Sequence, residues 1–388
     1  MRTFERTHPW LTFQLDLRRA SKDLWLRLGE AQSKCEHVAG TPLKPATAQR
    51  LHQIFLAKGA LATTAIEGNT LTEGEVLQLL QGKLQLPKSK GYLGQEVENI
   101  VAVCNEIANN LEKTDGELTV ERLRSFNRAV LKDLETPPDT APPGMTRPYS
   151  VGVGPYKGAP QEDCDYLLAE MCSWLNKSEF RPSGEDRIAF SVLRAVLAHL
   201  YLAWIHPFGD GNGRTARMVE FFILLSAGVP SPASHLLSNH YNQTRSDYYR
   251  RLQHASSSGG DVFPFLDYAV AGFVDGLRIT IQAIRDQQWQ EAWRNYVDEQ
   301  FGERPSAPEL RQKNLVLDLS ERGDWVATSE ISRLSPSLAA SYATKQGKTV
   351  SRDVNALVGR GLIEKRGAKI RARREIILAF LPPRKRAG

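Results

Sequence analysis

Cysteine is scarce in this chain, with four residues in 388, at Cys35, Cys104, Cys164 and Cys172, and no CxxC pair among them. That pattern excludes a disulfide framework and a zinc site, and it suits a reducing compartment with the four thiols in structural roles. The nucleotide signatures G-x-x-x-x-G-K-[ST] and G-x-G-x-x-G are also missing, so neither a P-loop nor a Rossmann fingerprint is expected. Long apolar runs are wanting too. The N-terminus MRTFERTHPWLTFQLDLRRASKDLW carries charge throughout, and the stretch MVEFFILLSAGV is too short to cross a bilayer. The expectation is a soluble, cytoplasmic protein with no membrane partner.

What is present is ordinary globular composition, 41% hydrophobic and 24% charged, in a chain longer than one core usually organises. Two or three domains are expected. The net charge of +6 is unevenly spread: residues 310–388 hold 17 Lys+Arg against 7 Asp+Glu, a net of +10, which leaves −4 on residues 1–309. A basic tail on a mildly acidic body points to a polyanionic partner or to a solvated basic surface.

Periodicity predicts a mainly α protein. Residues 45–67 carry Leu51, Ile54, Phe55 and Leu61 at helical spacing, with Glu67 at the end before Gly68-Asn69. Further helices are expected over 74–81, 92–113 and 119–134, then TPPDTAPPG breaks the pattern. RPYSVGVGPYKGAP, 147–160, reads as a short β-hairpin or flap. Helices return over 161–176 and 185–205, the latter stopped at His206 because the next residue is Pro207. More helix follows from Arg214, over 244–255 and over 262–300. The break GERPSAP, 302–308, is the natural domain boundary. Beyond it, 309–321, TSEISRL and KTVSRDVNALVGRGL read as three helices, and IEKRG and RARREIILAFL as two strands, the pattern of a winged helix-turn-helix. The domains expected are 1–115, 116–301 and 309–388.

The chemistry concentrates in HPFGDGNGRTAR, residues 206–217. Gly209, Gly211 and Gly213 let the backbone expose successive N–H groups at the positive end of the following helix, which makes an anion cradle. Arg214 and Arg217, three apart, share one helix face where two guanidinium groups can hold phosphates. Asp210 is a hard oxygen ligand suited to Mg²⁺. An EF-hand beginning at Asp210 fails, because its twelfth position is Phe221. A histidine, a carboxylate, an anion nest and two arginines spell phosphoryl or nucleotidyl transfer.

HPFGDGNGRTAR resembles the signature of the Fic family, H-x-F-x-[DE]-G-N-G-R-x-x-R, at every defined position, and the resemblance extends over about residues 50–300. It implies a Fic-type helical core with a β-hairpin flap, and a protein adenylyltransferase that moves AMP from ATP to a Ser, Thr or Tyr hydroxyl. In that reading His206 is the base, Phe208 anchors the loop, and Asp210 binds Mg²⁺. Asn212 with the backbone of Gly211 and Gly213 holds the α-phosphate, and Arg214 and Arg217 hold the outer phosphates. The flap would take a target segment as an added strand. SDYYRRLQHASSSGGDVFPF is similar to the stretch lining the adenine site in relatives, which makes Tyr248, Tyr249 and Ser257 pocket candidates, although Ser256 and Ser257 stand where an asparagine is expected.

TTAIEG, residues 63–68, resembles the inhibitory motif [ST]-x-x-x-E-[GN] of a subset of the family. It implies that Glu67 reaches Arg217 and blocks productive ATP binding, while Thr63, four residues earlier on the same helix face, supports the carboxylate. The expected partners are a target protein, the chain itself by self-modification or homo-oligomerisation, and DNA or a protein for residues 309–388. Two other functions stay open: a DNA-binding regulator with a nucleotide-sensing Fic domain, and transfer of another phosphate-containing group.

Overall fold

A computed structural model of the chain describes residues 1–378 apart from 155, 183 and 346. It resolves two compact units, Met1–Gln282 and the chain from Ala283 onward. Helices of the first unit are α1 Thr3–Thr7, α2 Lys22–Ala39, α3 Pro45–Ala65, α4 Glu73–Leu80, α5 Gly91–Asn109, α6 Val120–Val130, α7 Cys164–Leu175, α8 Arg187–Ile205, α9 Asn212–Ser226, α10 Ser231–Ser234, α11 Leu236–Gln243, α12 Arg245–Ser257 and the start of α13, Phe263–Phe301. The only sheet in this unit, among the described residues, is the hairpin β1 Gly152–Val153 and β2 Tyr156–Lys157.

Helix α8 is apolar on nearly every side, and such a helix belongs at the centre of a core. It is long and apolar enough to cross a membrane by length and composition, yet nearly all of its residues are buried within the protein. This apolar run exceeds MVEFFILLSAGV, which forms much of α9 and packs directly on α8. Helix α2 escaped the periodicity reading, although Ser21 caps it and Leu24, Leu28, Ala31 and Cys35 form its buried stripe. Helix α3 ends two residues before Glu67, in a turn whose Gly68 sits at φ 107°. All four cysteines are free and buried.

Two of the expected domain boundaries are corrected. Residues 1–115 share one core with the rest of the unit, since Leu24, Leu56 and Val97 cluster with Val192, Leu197 and Phe222. The second division falls inside α13 and not at 302–308, because Trp293, Val297 and Phe301 pack with Leu315, Leu319 and Leu357 in a separate core.

That second unit holds α14 Ala307–Arg322, β3 Val326–Ala327, α15 Pro336–Tyr342, α16 Gly347–Gly359, β4 Ile363–Arg366 and β5 Lys369–Ala372, with strand order β3-β5-β4, all antiparallel. TSEISRL is a 3-10 segment, and the second helix starts later, at Pro336. Strand β5 ends at Ala372 and a 3-10 turn follows, so RARREIILAFL is strand only at its beginning; residues 379–381 of that stretch lie outside the described residues.

Close packing around α3 depends on Gly59, where an added Cβ would lie 2.2 Å from the His235 ring, whereas Gly29 on α2 has nothing within 4 Å. Gly59→Ala is therefore expected to destabilise by about 1–3 kcal/mol through overpacking. Gly29→Ala should stabilise by about 0.5–1 kcal/mol through helix propensity. Urea unfolding midpoints at constant slope check both, and equal midpoints would contradict the packing described.

Candidate active site

The site forms where α8 gives way to α9. Pro207 denies His206 the right-handed helical region, and His206 takes the left-handed one, φ 49° and ψ 57°, while its N–H still bonds Leu202 O at 2.9 Å. A non-glycine residue there costs about 1–2 kcal/mol, so something must hold it. Arg147, fully buried, does this. Its Nε donates to His206 O at 2.7 Å, one terminal nitrogen donates to Ala159 O at 2.6 Å and Ile205 O at 3.4 Å, and the other donates to Tyr149 O. One guanidinium thus ties the end of α8 to both stems of the β1–β2 flap.

The loop after Pro207 is stapled from inside. Phe208 is buried and bridges Thr146 as an isolated β-pair. The Asn212 side chain accepts from Phe208 N–H at 3.0 Å and donates to Phe208 O at 2.9 Å. With one bond accepted and one donated to the loop, the Asn212 amide keeps a second Nδ2 proton. Asn127 of α6 donates to Asp210 O at 2.9 Å and to Thr215 Oγ1 at 3.1 Å. Of the three glycines only Gly211 has positive φ, 72°. Gly209 is needed for contact, since a Cβ would meet Thr140 Cγ2 at 2.6 Å, and at Gly213 it would lie 2.3 Å from Glu67 Oε1.

That last distance places the Glu67 carboxylate over the first turn of α9, which has no side-chain cap. Glu67 Oε1 accepts from Arg217 Nη2 at 2.5 Å, and the same nitrogen donates to Thr63 O at 2.9 Å. Arg217 is fully buried, and among the described residues its Nε and Nη1 meet no partner. The Thr63 hydroxyl is likewise buried without a hydrogen bond, so Thr63 contributes its carbonyl and not the expected side-chain support.

Arg214 faces elsewhere. It bonds Glu96 Oε1 at 3.2 Å and both Asp210 oxygens at 3.3 Å. Glu96 in turn accepts from Asn69 Nδ2 at 2.8 Å. The two arginines are therefore each engaged by carboxylates, Arg217 by one and Arg214 by two. Glu96, Arg147 and Asn127 were not singled out from sequence, because each acts through a contact spanning tens of residues that no local pattern signals.

Of the adenine-pocket candidates, Tyr248 is 3% exposed, and its hydroxyl is 2.7 Å from His199 Nε2 in a buried network that continues to Glu220 and Tyr241. It belongs to the core. Ser257 is exposed and bonds its own helix at His254 O. Tyr249 lines a cavity of about 220 Å³ with Val153, Tyr156, Trp204, Leu252 and Gln253, and its hydroxyl donates to Ile66 O at 3.3 Å. The cavity lies between the flap, the end of α8 and α12, with a mostly aliphatic and aromatic lining.

Burial lowers the His206 pKa to about 4, and Arg147 adds to this, while a backbone bond to Ala203 and the charges of Glu67 and Asp210 oppose it. The imidazole is thus neutral and able to accept a proton at pH 7. For Glu67, burial pushes upward but is outweighed by the charge and hydrogen bond of Arg217, helped by Arg214 and His206, so its pKa lies below the usual carboxylate range. The carboxylate is ionised over the helix N-terminus.

A neutral base at a helix end beside an uncapped N-terminus and two buried arginines defines a site for handling phosphate esters. Residues 117–224 match the model of the Fic/DOC family, and this segment is a Fic domain. Over 208 residues the chain is 31% identical to protein adenylyltransferase fic-1 of Caenorhabditis briggsae, a match covering 53% of this chain and 37% of the relative. Over 206 residues it is 29% identical to protein adenylyltransferase Fic of Nematostella vectensis, covering 53% and 44%. The chain spans less than half the length of these two relatives. Among solved structures, a Fic family protein from Desulfovibrio desulfuricans superposes with TM-score 0.56 at 20% identity, over 92% of this chain and 98% of that one. Residues 134–508 of Fic-1 from Caenorhabditis elegans give 0.56 at 24%, over 68% and 73%. At these identities the two structures establish the helical Fic fold.

NMR titration of His206 checks the electrostatics. Its midpoint should fall well below 6.5, and Glu67→Gln should lower it further by removing a neighbouring negative charge. Because the unfolded chain takes up this proton near pH 6.5 and the folded one only near 4, stability should decline as pH falls through that window. A midpoint at or above 6.5 would contradict the buried, neutral base.

Proposed function

We propose that the chain transfers the AMP part of ATP to a protein hydroxyl, its own included, and that Glu67 restrains the reaction. The observation that carries this reading is the Glu67–Arg217 pair lying over the first turn of α9, beside a neutral His206. In the transfer, His206 takes the proton of the attacking hydroxyl, whose oxygen bonds the α-phosphorus. The bond from that phosphorus to the bridging oxygen breaks, and pyrophosphate leaves. A base of this kind contributes about 10²–10⁴-fold. Backbone N–H groups at the start of α9 receive the charge that develops on the α-phosphate. Asn212 shares this role through its remaining amide proton, while its bonds to Phe208 keep the loop in shape.

Asp210 is the residue that would hold Mg²⁺. Its carboxylate is 47% exposed, and one hard carboxylate beside a phosphate site is what this cation takes from a protein. Bound there, Mg²⁺ would neutralise phosphate charge. Arg214 shares that carboxylate, so its turn toward a phosphate and the arrival of the cation are coupled.

The cavity beside Tyr249 supports a base-binding role for Tyr249, Leu252 and the flap tip, since purines seek flat apolar walls with few polar groups. Flap residues Gly152 and Val153 are exposed, as an edge that accepts a target strand must be. Glu67 opposes all of this by occupying Arg217 and placing negative charge where a phosphate would approach.

A charge-assisted hydrogen bond of about 1.5–3 kcal/mol, at tenfold per ~1.4 kcal/mol, predicts that Glu67→Gly raises self-modification roughly ten- to hundredfold. The gain should vanish in the Glu67→Gly, Arg217→Ala double variant. Thr63→Ala should leave the rate within about twofold, because its hydroxyl makes no hydrogen bond. His206→Ala should abolish transfer in a folded protein. With the Glu67→Gly protein, label should pass from α-labelled ATP and not from γ-labelled ATP; retention of the γ label alone would overturn the proposed chemistry, and equal rates with and without Glu67 would remove the restraint.

A further inference from the structure

We propose that the outer face of α16, with the β4–β5 turn, is a docking surface for duplex DNA. The inference rests on the second unit alone and is independent of the transfer chemistry. Helix α15 ends at Tyr342, residues 343–345 turn, α16 begins at Gly347, and α16 packs on β4. This is a helix-turn-helix followed by a β-ribbon.

The two faces of α16 differ sharply. Its inner stripe, Asp353, Val354 and Leu357, is buried. Asp353 accepts from Arg311 Nε at 2.7 Å, Gln312 Nε2 at 2.9 Å and the Tyr342 hydroxyl at 3.0 Å. One buried carboxylate thus fixes α16 against both α14 and the end of α15, and the angle of the outer face is set rigidly. That outer stripe reads Lys348, Ser351, Arg352 and Asn355, all exposed. At spacings of three and four they lie along one side of the helix, and no acidic residue interrupts them.

The distribution of ion pairs sharpens the contrast. Several cations elsewhere in the unit are matched: Arg311 by Asp353, Lys313 by Asp298, Arg360 by Glu309, and Arg371 by Glu364 and Glu375. Lys348, Arg352, Lys365 and Lys369 have no carboxylate within 4 Å among the described residues. Arg366 lies 3.9 Å from Glu364 and stacks 4.7 Å from the Trp325 ring, which holds its guanidinium in place. Exposed positive charge therefore lines one helix face, at Lys348 and Arg352, and one hairpin turn, at Lys365, Arg366 and Lys369.

Physical chemistry selects the partner. A protein-binding face is built around buried aromatic or apolar anchors, and the only large apolar side chain exposed on α16 is Val358. The stripe offers Arg and Asn instead, the side chains that pair bidentately with guanine and adenine edges. A projecting helix enters the wide major groove of B-DNA, whereas the deep, narrow groove of double-stranded RNA excludes it.

The test uses the full chain and a fluorescent mixed-sequence duplex of about 25 base pairs, with anisotropy read from about 50 to about 200 mM salt. With about four phosphate contacts, affinity should fall roughly a hundredfold across that range. Lys365→Ala with Lys369→Ala should reduce the log–log salt slope by about two. Arg352→Ala with Asn355→Ala should weaken binding at least about tenfold, each side chain being worth about 1–3 kcal/mol at a base edge. Circular dichroism and undiminished self-modification confirm that the variants remain folded. Absence of binding at about 100 μM protein in low salt, where even non-specific sites bind at about 10⁻⁴–10⁻⁶ M, would overturn the proposal. So would equal affinity for an RNA duplex, or binding indifferent to the α16 substitutions.

Discussion

Two buried helices that reverse direction inside a core must satisfy the carbonyls at the end of the first and the amides at the start of the second without water. That constraint shapes the first unit. At the end of α8 the demand is met by Arg147, whose donors take up the carbonyls of Ile205 and His206 and those of the flap stems. Within the loop it is met by Asn212 and Asn127. At the start of α9 no side chain meets it. The amides left over are the groups that the packing leaves free to meet an anion.

Glu67 and Arg217 complete the picture. A fully buried arginine needs a counter-charge, and Glu67 supplies one from across 150 residues of chain. The partner is only two-thirds covered, and it sits in a turn following α3 and not in the middle of a helix. An ion pair with one rigid and one peripheral member is suited to exchange: a phosphate can replace the carboxylate, and the arginine does not have to move. Arg214 is arranged on the same principle, between Glu96 and Asp210. Because Asn69, two residues past Glu67, also bonds Glu96, one turn of chain touches the carboxylates that hold both arginines.

The second unit uses its own buried carboxylate for the opposite purpose. Asp353 is enclosed by Arg311, Gln312 and Tyr342 and has no exposed side from which to be displaced. It fixes geometry. Outside that cluster basic residues outnumber the carboxylates available to pair with them, as a net charge of +10 over residues 310–388 requires.

Much of this was legible in the chain order. HPFGDGNGRTAR announced a helix end, a glycine turn and an uncapped helix start because those are consequences of neighbouring residues: Pro207 after His206, Gly211 at positive φ. The helix-rich pattern followed from local spacing, and the pairing of Glu67 with Arg217 from the resemblance of TTAIEG to an inhibitory motif. The failures were of another kind. Thr63 acts through its carbonyl, Tyr248 belongs to a buried network, and the domain division lies within α13. By itself the sequence determined which backbone groups would be exposed at the signature loop and which side chains had chemistry to offer. Only the tertiary structure decided which were already engaged, since Arg147, Glu96 and Asn127 reach the site by contacts of 59, 118 and 83 residues' separation. Hydrogen-bond partners at such distances are set by packing, and packing has no local signature.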